Sequence, residues 1–113
     1  MNVPTVTFVL GTRPEAIKLA PLILFFKKSK QFRVRLILTG QHKEMVRQVM
    51  DFFNLKEDKD LNLMREKQTL THIATGVIQG ISEELNFNKS NLLIVQGDTS
   101  TALSASLAAF YNR

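Results

Sequence analysis

The stretch VPTVTFVLGTRPE, residues 3–15, decides the fold of this chain. Residues 3–10 are apolar and β-branched apart from one proline and two threonines, which predicts a strand covered on both faces. Gly11 allows a tight turn because it has no Cβ, and Pro14 suits a first helical turn, where no backbone donor is needed. Apolar residues then recur at helical spacing and predict a helix over residues 14–28.

The turn after this strand also has the features of an anion site. In open α/β folds, the free N–H groups of such a turn face the carboxyl edge of the sheet, where anions bind. Arg13 adds a permanently charged guanidinium that suits phosphate. The alternative is that Arg13 and Glu15 are solvated surface charges. The pattern is neither a P-loop nor a dinucleotide-binding GxGxxG, since it contains one glycine and no Lys-Ser or Lys-Thr end.

Composition indicates an ordinary globular domain and excludes several classes of protein. The chain has 113 residues, of which 44% are hydrophobic and 22% charged, so we expect residues 1–113 to form a single domain. The absence of cysteine excludes a disulfide framework. No apolar run is long enough for a membrane span and no signal peptide precedes the first strand, so we expect a cytoplasmic protein. The net charge is +5, but no aromatic residues alternate with the basic ones in a pattern that could stack on bases. This argues against a nucleic-acid-binding protein.

The rest of the chain alternates strands and helices. Further strands are predicted at residues 34–38 and 92–95, the latter buried, and a short strand within residues 61–64. Further helices are predicted at residues 43–53, at residues 69–85 and from Thr99 or Ser100 onward, and Pro21 predicts a kink in the first helix. Gly76 and Gly80 predict a close approach of the long helix to the sheet or to another helix. The fold class is therefore α/β, a Rossmann-like parallel sheet with helices on both faces.

Three strand-to-helix turns carry the polar residues that could act on a ligand, at residues 11–18, 39–44 and 96–101. In a parallel sheet all three open on the carboxyl edge. Asp98 could act as an acid or base, but a carboxylate ahead of a helix is more often its cap. His42 could contact a ligand phosphate or be structural, and His72 is expected to be exposed or packed. With two distant histidines and no ligand cluster, we expect no metal site. We also expect no cofactor.

The motif GTRPEAIK at residues 11–18, followed by APL at residues 20–22, resembles the opening signature of the non-hydrolysing UDP-N-acetylglucosamine 2-epimerases. The resemblance continues through TGQHKEM at residues 39–45, DLNLM at 60–64 and QTLT at 68–71. It ends with QGDTST at residues 96–101 and SLAAFY at 106–111. It is collinear over all 113 residues, which are similar to roughly the first third of such an enzyme, most of its N-terminal domain.

The resemblance implies a two-domain glycosyltransferase B fold with the active site between the domains. It implies an enzyme that interconverts UDP-N-acetylglucosamine and UDP-N-acetylmannosamine for polysaccharide biosynthesis, by eliminating and re-adding UDP. Arg13 and Lys18 match substrate-binding residues, and Asp98 matches a catalytic carboxylate. The uridine-binding domain and the catalytic glutamates of the family lie beyond this stretch, so we expect residues 1–113 alone to be inactive. The full-length protein is expected to be a homodimer that binds UDP-N-acetylglucosamine and UDP.

Bacterial members of this family also bind a second UDP-N-acetylglucosamine as an activator. Three residues match the lining of that allosteric site: Gln41, His42 and Gln68. Glu44 stands where the family usually has glutamine, and Lys67 stands where it usually has arginine. A carboxylate would then lie near a diphosphate, and the bidentate contact of an arginine would be lost. Both departures bear on the strength of allosteric activation. Gln96, where many members have histidine, has no evident consequence.

Three other interpretations stay open at this point. A hydrolysing relative would release free N-acetylmannosamine, and a glycosyltransferase could share the same architecture. The chain could also be a binding module for sugar nucleotides without catalysis. A coding sequence that continues past Arg113 into a strand and a glutamate-bearing loop would favour the enzyme.

Overall fold

The computed structural model describes residues 3–64 and 68–113. In this part of the chain the strands are β1 (Thr5–Leu10), β2 (Arg33–Leu38), β3 (Lys59–Asp60) and β4 (Leu92–Ile94). The helices are α1 (Arg13–Lys28), α2 (Lys43–Phe52), α3 (Leu70–Phe87) and α4 (Ser100–Tyr111). The four strands are parallel and form one sheet in the order β3-β2-β1-β4. Every residue of β1 is buried, as the apolar pattern predicts.

Helices cover both faces of the sheet because successive side chains of β1 point to opposite sides. Phe8 and Leu10 pack on one face with the apolar residues of α1 and α2. Val9 and Ile37 pack on the other face with those of α3 and α4. The predicted α/β, Rossmann-like fold is therefore confirmed. Helix α1 continues through Pro21 as one helix.

The segment that follows β3 differs from the prediction. The short strand is Lys59–Asp60, so its placement within residues 61–64 is wrong. Those residues instead turn their leucines against α3: a Cβ on Gly76 would lie 2.7 Å from Leu63 Cδ2, and one on Gly80 would lie 2.8 Å from Leu61. The two glycines do allow a close approach, but the element that approaches them is this loop.

The prediction that the fourth strand is buried is also wrong. Leu92 is 52% exposed, and Leu93 and Ile94 are only half-buried. Within residues 3–64 and 68–113, β4 pairs with β1 alone, so no other strand of this stretch lies on its second side. An apolar run cannot distinguish a central strand from a strand in this position. Within residues 3–64 and 68–113, no helix is long and apolar enough to cross a membrane.

An ion pair ties α2 to the segment before β3. Arg47 Nη2 donates to Glu57 Oε2 over 2.6 Å, and both side chains are partly shielded from water. The hydrogen bond from Arg47 lowers the pKa of the Glu57 carboxyl below its ordinary value, against the opposing effect of burial. The pair therefore gives the stability of the fold a dependence on pH.

We expect the variant Arg47→Met to lose about 1 kcal/mol of unfolding free energy at neutral pH, between the values typical of exposed and of well hydrogen-bonded pairs. Because the pKa of Glu57 is lower in the folded state, this stabilisation is present above its unfolded pKa of about 4.3. It is lost as the pH falls through the folded pKa. Urea unfolding of parent and variant across this range should show the difference shrinking in acid. A difference that is independent of pH would contradict the assignment, and Lys43→Met, which removes a longer contact of 3.8 Å, is the control.

Candidate active site

The strand order creates a crevice beside β1. The chain passes from β1 to β2 and β3 on one side, whereas β4 returns to the other side of β1. The turns after β1 and β4 therefore flank the point at which the order of strands reverses. Ligands of open α/β sheets bind outside the carboxyl ends of the strands at such a point.

A buried carboxylate joins these two turns. Glu15 is 2% exposed, and its Oε1 accepts the N–H groups of Gly11 at 2.7 Å and Thr12 at 2.9 Å. Its Oε2 accepts the hydroxyl of Thr99, and Thr99 Oγ1 in turn accepts the N–H of Ala102 at 3.2 Å as the N-cap of α4. The alternative that Glu15 is a solvated charge is therefore wrong. The sequence did contain a signal, since a glutamate three residues after a threonine N-cap is typical of a capping box.

This arrangement corrects the expectation that the N–H groups of the first turn are free for an anion. The N–H groups of Gly11 and Thr12 already donate to Glu15. The turn therefore offers fewer free N–H groups than expected, and side chains supply its formal positive charge. Arg13 and Lys18 are both exposed on α1.

Asp98 does not cap the helix that follows it. Thr99 is the N-cap of α4, so the capping interpretation of Asp98 is wrong. Asp98 is exposed and forms no hydrogen bond with any residue in the described ranges. It follows Gly97, whose φ of +90° favours glycine. Its carboxylate is therefore free to contact a ligand.

The candidate residues line separate grooves. Arg13 lines a groove of about 360 Å³ between α1 and α2, together with Ile17, Phe52 and Phe53. Asp98 lines a second groove of about 280 Å³ that runs along α4 to Ser106. A cavity of about 480 Å³ lies at the opposite end of β4 and contains none of the candidate residues.

The second strand-to-helix turn is joined to α4 by Gln41. Its Oε1 accepts the hydroxyl of Thr101 at 2.8 Å, directly above Gly11. A Cβ on Gly11 would lie 3.0 Å from Gln41 Oε1 and 3.0 Å from Thr101 Cβ. Gly11 is therefore required by this close packing, whereas Gly40 and Gly97 have the positive φ values.

The other described residues of the predicted allosteric site lie at the start of α2 and beside the loop that follows β3. His42 and Glu44 are exposed at the start of α2, and the His42 side chain forms no capping hydrogen bond there. Gln68 Nε2 donates to the carbonyl of Leu63 at 3.0 Å, and a ring nitrogen of half-buried His72 lies 3.2 Å from the same oxygen. Lys67 lies outside the described residues. Within the described ranges, no cluster of three or more histidine, aspartate or glutamate side chains could hold a metal ion.

Comparison with known proteins identifies the family. A sequence model of the UDP-N-acetylglucosamine 2-epimerases matches residues 25–113. The chain belongs to this family. A UDP-N-acetylglucosamine 2-epimerase from Salmonella borreze is 48% identical over 106 residues, which are 94% of this chain and 28% of the relative. The chain therefore spans about 28% of the length of curated relatives that it matches.

Two solved structures share both the fold and much of the sequence. The UDP-GlcNAc 2-epimerase of Neisseria meningitidis, bound to UDP-GlcNAc, is 45% identical with a TM-score of 0.88. The match covers 95% of this chain and 29% of that one. S. aureus MnaA, solved with UDP, is 34% identical with a TM-score of 0.89 and coverages of 97% and 29%.

The packing above Gly11 leads to a prediction about stability. We expect Gly11→Ala to lose about 1–3 kcal/mol of unfolding free energy, because the added methyl group overpacks the contact between Thr101 and Gln41. The variant Thr101→Ala removes part of the obstruction, so the double variant should lose less than the sum of the two single losses. Urea unfolding of all four proteins measures this coupling. Additive losses would show that the contact does not constrain residue 11.

Proposed function

We propose that the full-length protein containing this sequence interconverts UDP-N-acetylglucosamine and UDP-N-acetylmannosamine. The observation that carries the proposal is the position of Arg13 and Asp98 in a chain of this family, on the two turns that flank the crevice beside β1. The N. meningitidis relative is bound to UDP-GlcNAc and S. aureus MnaA to UDP, which supports a UDP-sugar as the ligand.

The proposed reaction is the elimination and re-addition of UDP. A base takes the proton from C2 of the sugar while the bond between C1 and the diphosphate oxygen breaks, and the electron pair of that bond leaves with UDP. A double bond forms between C1 and C2, giving 2-acetamidoglucal. UDP then returns to C1, and a proton is delivered to the opposite face of C2. The reaction therefore needs carboxylates near the sugar and cations near the diphosphate.

The exposed charges of the described turns fit these two needs. Asp98 has no structural partner in the described part of the chain, so its carboxylate can act at the sugar as a base or stabilise positive charge at C1. Arg13 and Lys18 are exposed cations on the first helix and can contact the diphosphate. These three exposed side chains contribute little to the packing of the fold, so they are available to a ligand.

Several further predictions belong to this proposal. We propose that residues 1–113 form a single Rossmann-like domain, part of the N-terminal domain of a glycosyltransferase B-type enzyme. Gln41, His42, Glu44, Lys67 and Gln68 remain candidates for an allosteric site that binds a second UDP-N-acetylglucosamine. The homodimer and the cytoplasmic location of the full-length protein also stay predictions.

An assay of the full-length protein with UDP-N-acetylglucosamine tests the activity. We expect a mixture of the two UDP-sugars with no net release of UDP. Free N-acetylmannosamine together with UDP would instead identify a hydrolysing enzyme. Binding of UDP-N-acetylglucosamine without turnover would identify a binding module, and transfer of the sugar to an acceptor would identify a glycosyltransferase.

The variant Asp98→Asn tests the role of the carboxylate in the full-length enzyme. We expect kcat to fall by roughly two orders of magnitude, the usual effect of losing an acid, a base or an electrostatic group. Stability should change by only about 0.5 kcal/mol, because an exposed charge is lost at a helix N-terminus that Thr99 still caps. Steady-state kinetics and thermal melts measure both. Asp51→Asn, at an exposed position on α2, is the control, and near-normal turnover of Asp98→Asn would exclude a catalytic role.

The variant Arg13→Ala tests the contact with the diphosphate. A guanidinium at a helix N-terminus faces the positive end of the helix dipole, so its removal should leave stability within about 0.5 kcal/mol of the parent. Loss of a charge-assisted hydrogen bond should lower kcat/KM roughly ten- to a hundredfold. Arg13→Lys should recover only part of this loss because an ammonium cannot form paired contacts.

Thermal melts and kinetics of these variants are compared with those of Arg33→Ala, which removes an exposed arginine at the opposite end of the sheet. A large fall in melting temperature with normal turnover of the folded enzyme would make Arg13 a structural residue.

A further inference from the structure

We propose that Glu15 is a positioning residue, whose buried carboxylate holds the turn that carries Asp98 against the turn that carries Arg13. The inference rests on the proposed function for the roles of those two side chains. Glu15 itself is 2% exposed and cannot touch a ligand in the crevice, so it acts through the residues that it holds.

The link spans the point where the order of the strands reverses. Glu15 lies in the first turn of α1, two residues after Arg13, and Thr99 directly follows Asp98. The two side chains that meet are 84 residues apart in sequence. One oxygen of the carboxylate holds the N–H groups of the first turn, and the other accepts the hydroxyl that caps α4. A single rigid group therefore fixes both turns.

The backbone around Asp98 needs such a fixed point. The pairing of β4 with β1 ends at Phe8 and Ile94, four residues before Asp98. Gly97 is exposed, has a φ of +90° and has no atom within 4 Å of the place where a Cβ would lie. The hydrogen bond from Thr99 to Glu15 then ties this turn to the first one.

A double-variant cycle in the full-length enzyme, which moves the carboxylate from position 15 to position 99, tests the link. Thr99→Asp retains a good N-cap, because aspartate caps as well as threonine, but it cannot donate to Glu15 and opposes it with a second carboxylate. Adding Glu15→Gln restores a donor: the new amide oxygen can accept the N–H groups of Gly11 and Thr12, while its NH₂ group donates to the new carboxylate at position 99. Glu15→Gln alone completes the cycle.

We expect kcat of Thr99→Asp to fall on the order of ten- to a hundredfold with a smaller change in KM, because misplacing the reacting groups slows the chemical step more than it weakens binding. The double variant should recover about tenfold of that loss, although it differs more from the parent. Glu84→Gln is the control for stability alone: it weakens a half-buried ion pair with Arg35, at 2.8 Å on the α3 side of the sheet, and should leave kcat unchanged.

Two kinetic results would overturn the inference: a kcat of folded Thr99→Asp within about twofold of the parent, or a double variant no faster than Thr99→Asp. Hydrogen exchange of the Gly11 and Thr12 amides gives a readout that needs no turnover. Their protection should fall in Thr99→Asp and return in the double variant, and unchanged protection would also overturn the link. If the parent enzyme converts no UDP-N-acetylglucosamine, the proposed function fails, while the exchange data still decide whether the link exists.

Discussion

The burial of the Glu15 carboxylate joins the turns that follow β1 and β4 at the carboxyl edge of this sheet. A buried charge is tolerated only when hydrogen bonds replace its lost hydration. Here both oxygens are occupied, by the N–H groups of Gly11 and Thr12 and by the hydroxyl of Thr99. These donors come from two turns that are adjacent only because β1 and β4 pair. The buried carboxylate therefore depends on the parallel pairing of β1 and β4 for its partners.

The fold divides its polar groups into two sets. The groups nearest the sheet edge form hydrogen bonds with one another: Glu15 accepts the hydroxyl of Thr99, and Gln41 accepts the hydroxyl of Thr101. The first turn of α4 is thus joined to both of the other turns. The charged groups left over are the exposed ones, including Arg13 and Asp98. Such groups can bind a ligand without first losing a hydrogen bond within the protein.

The sequence predicts the elements of the fold well and their environment less well. The apolar run of β1 and the helical periodicities depend on local spacing, so they indicate the architecture. The two-residue β3 and the exposure of Leu92 depend on which strands lie beside them, and no local pattern records that. The capping signal at Glu15 could be found in the sequence, but its partner 84 residues away could not.

The separation of the candidate charges has a chemical consequence for the proposed reaction. A carboxylate beside the diphosphate would repel the leaving group, whereas a cation beside the sugar would oppose the positive charge that develops at C1. In this structure Arg13 and Asp98 line different grooves on neighbouring turns. A sugar nucleotide laid across the crevice could therefore meet positive charge at one end and negative charge at the other. Because the two turns share one buried carboxylate, the backbone segments that carry these charges are tied to each other within the fold.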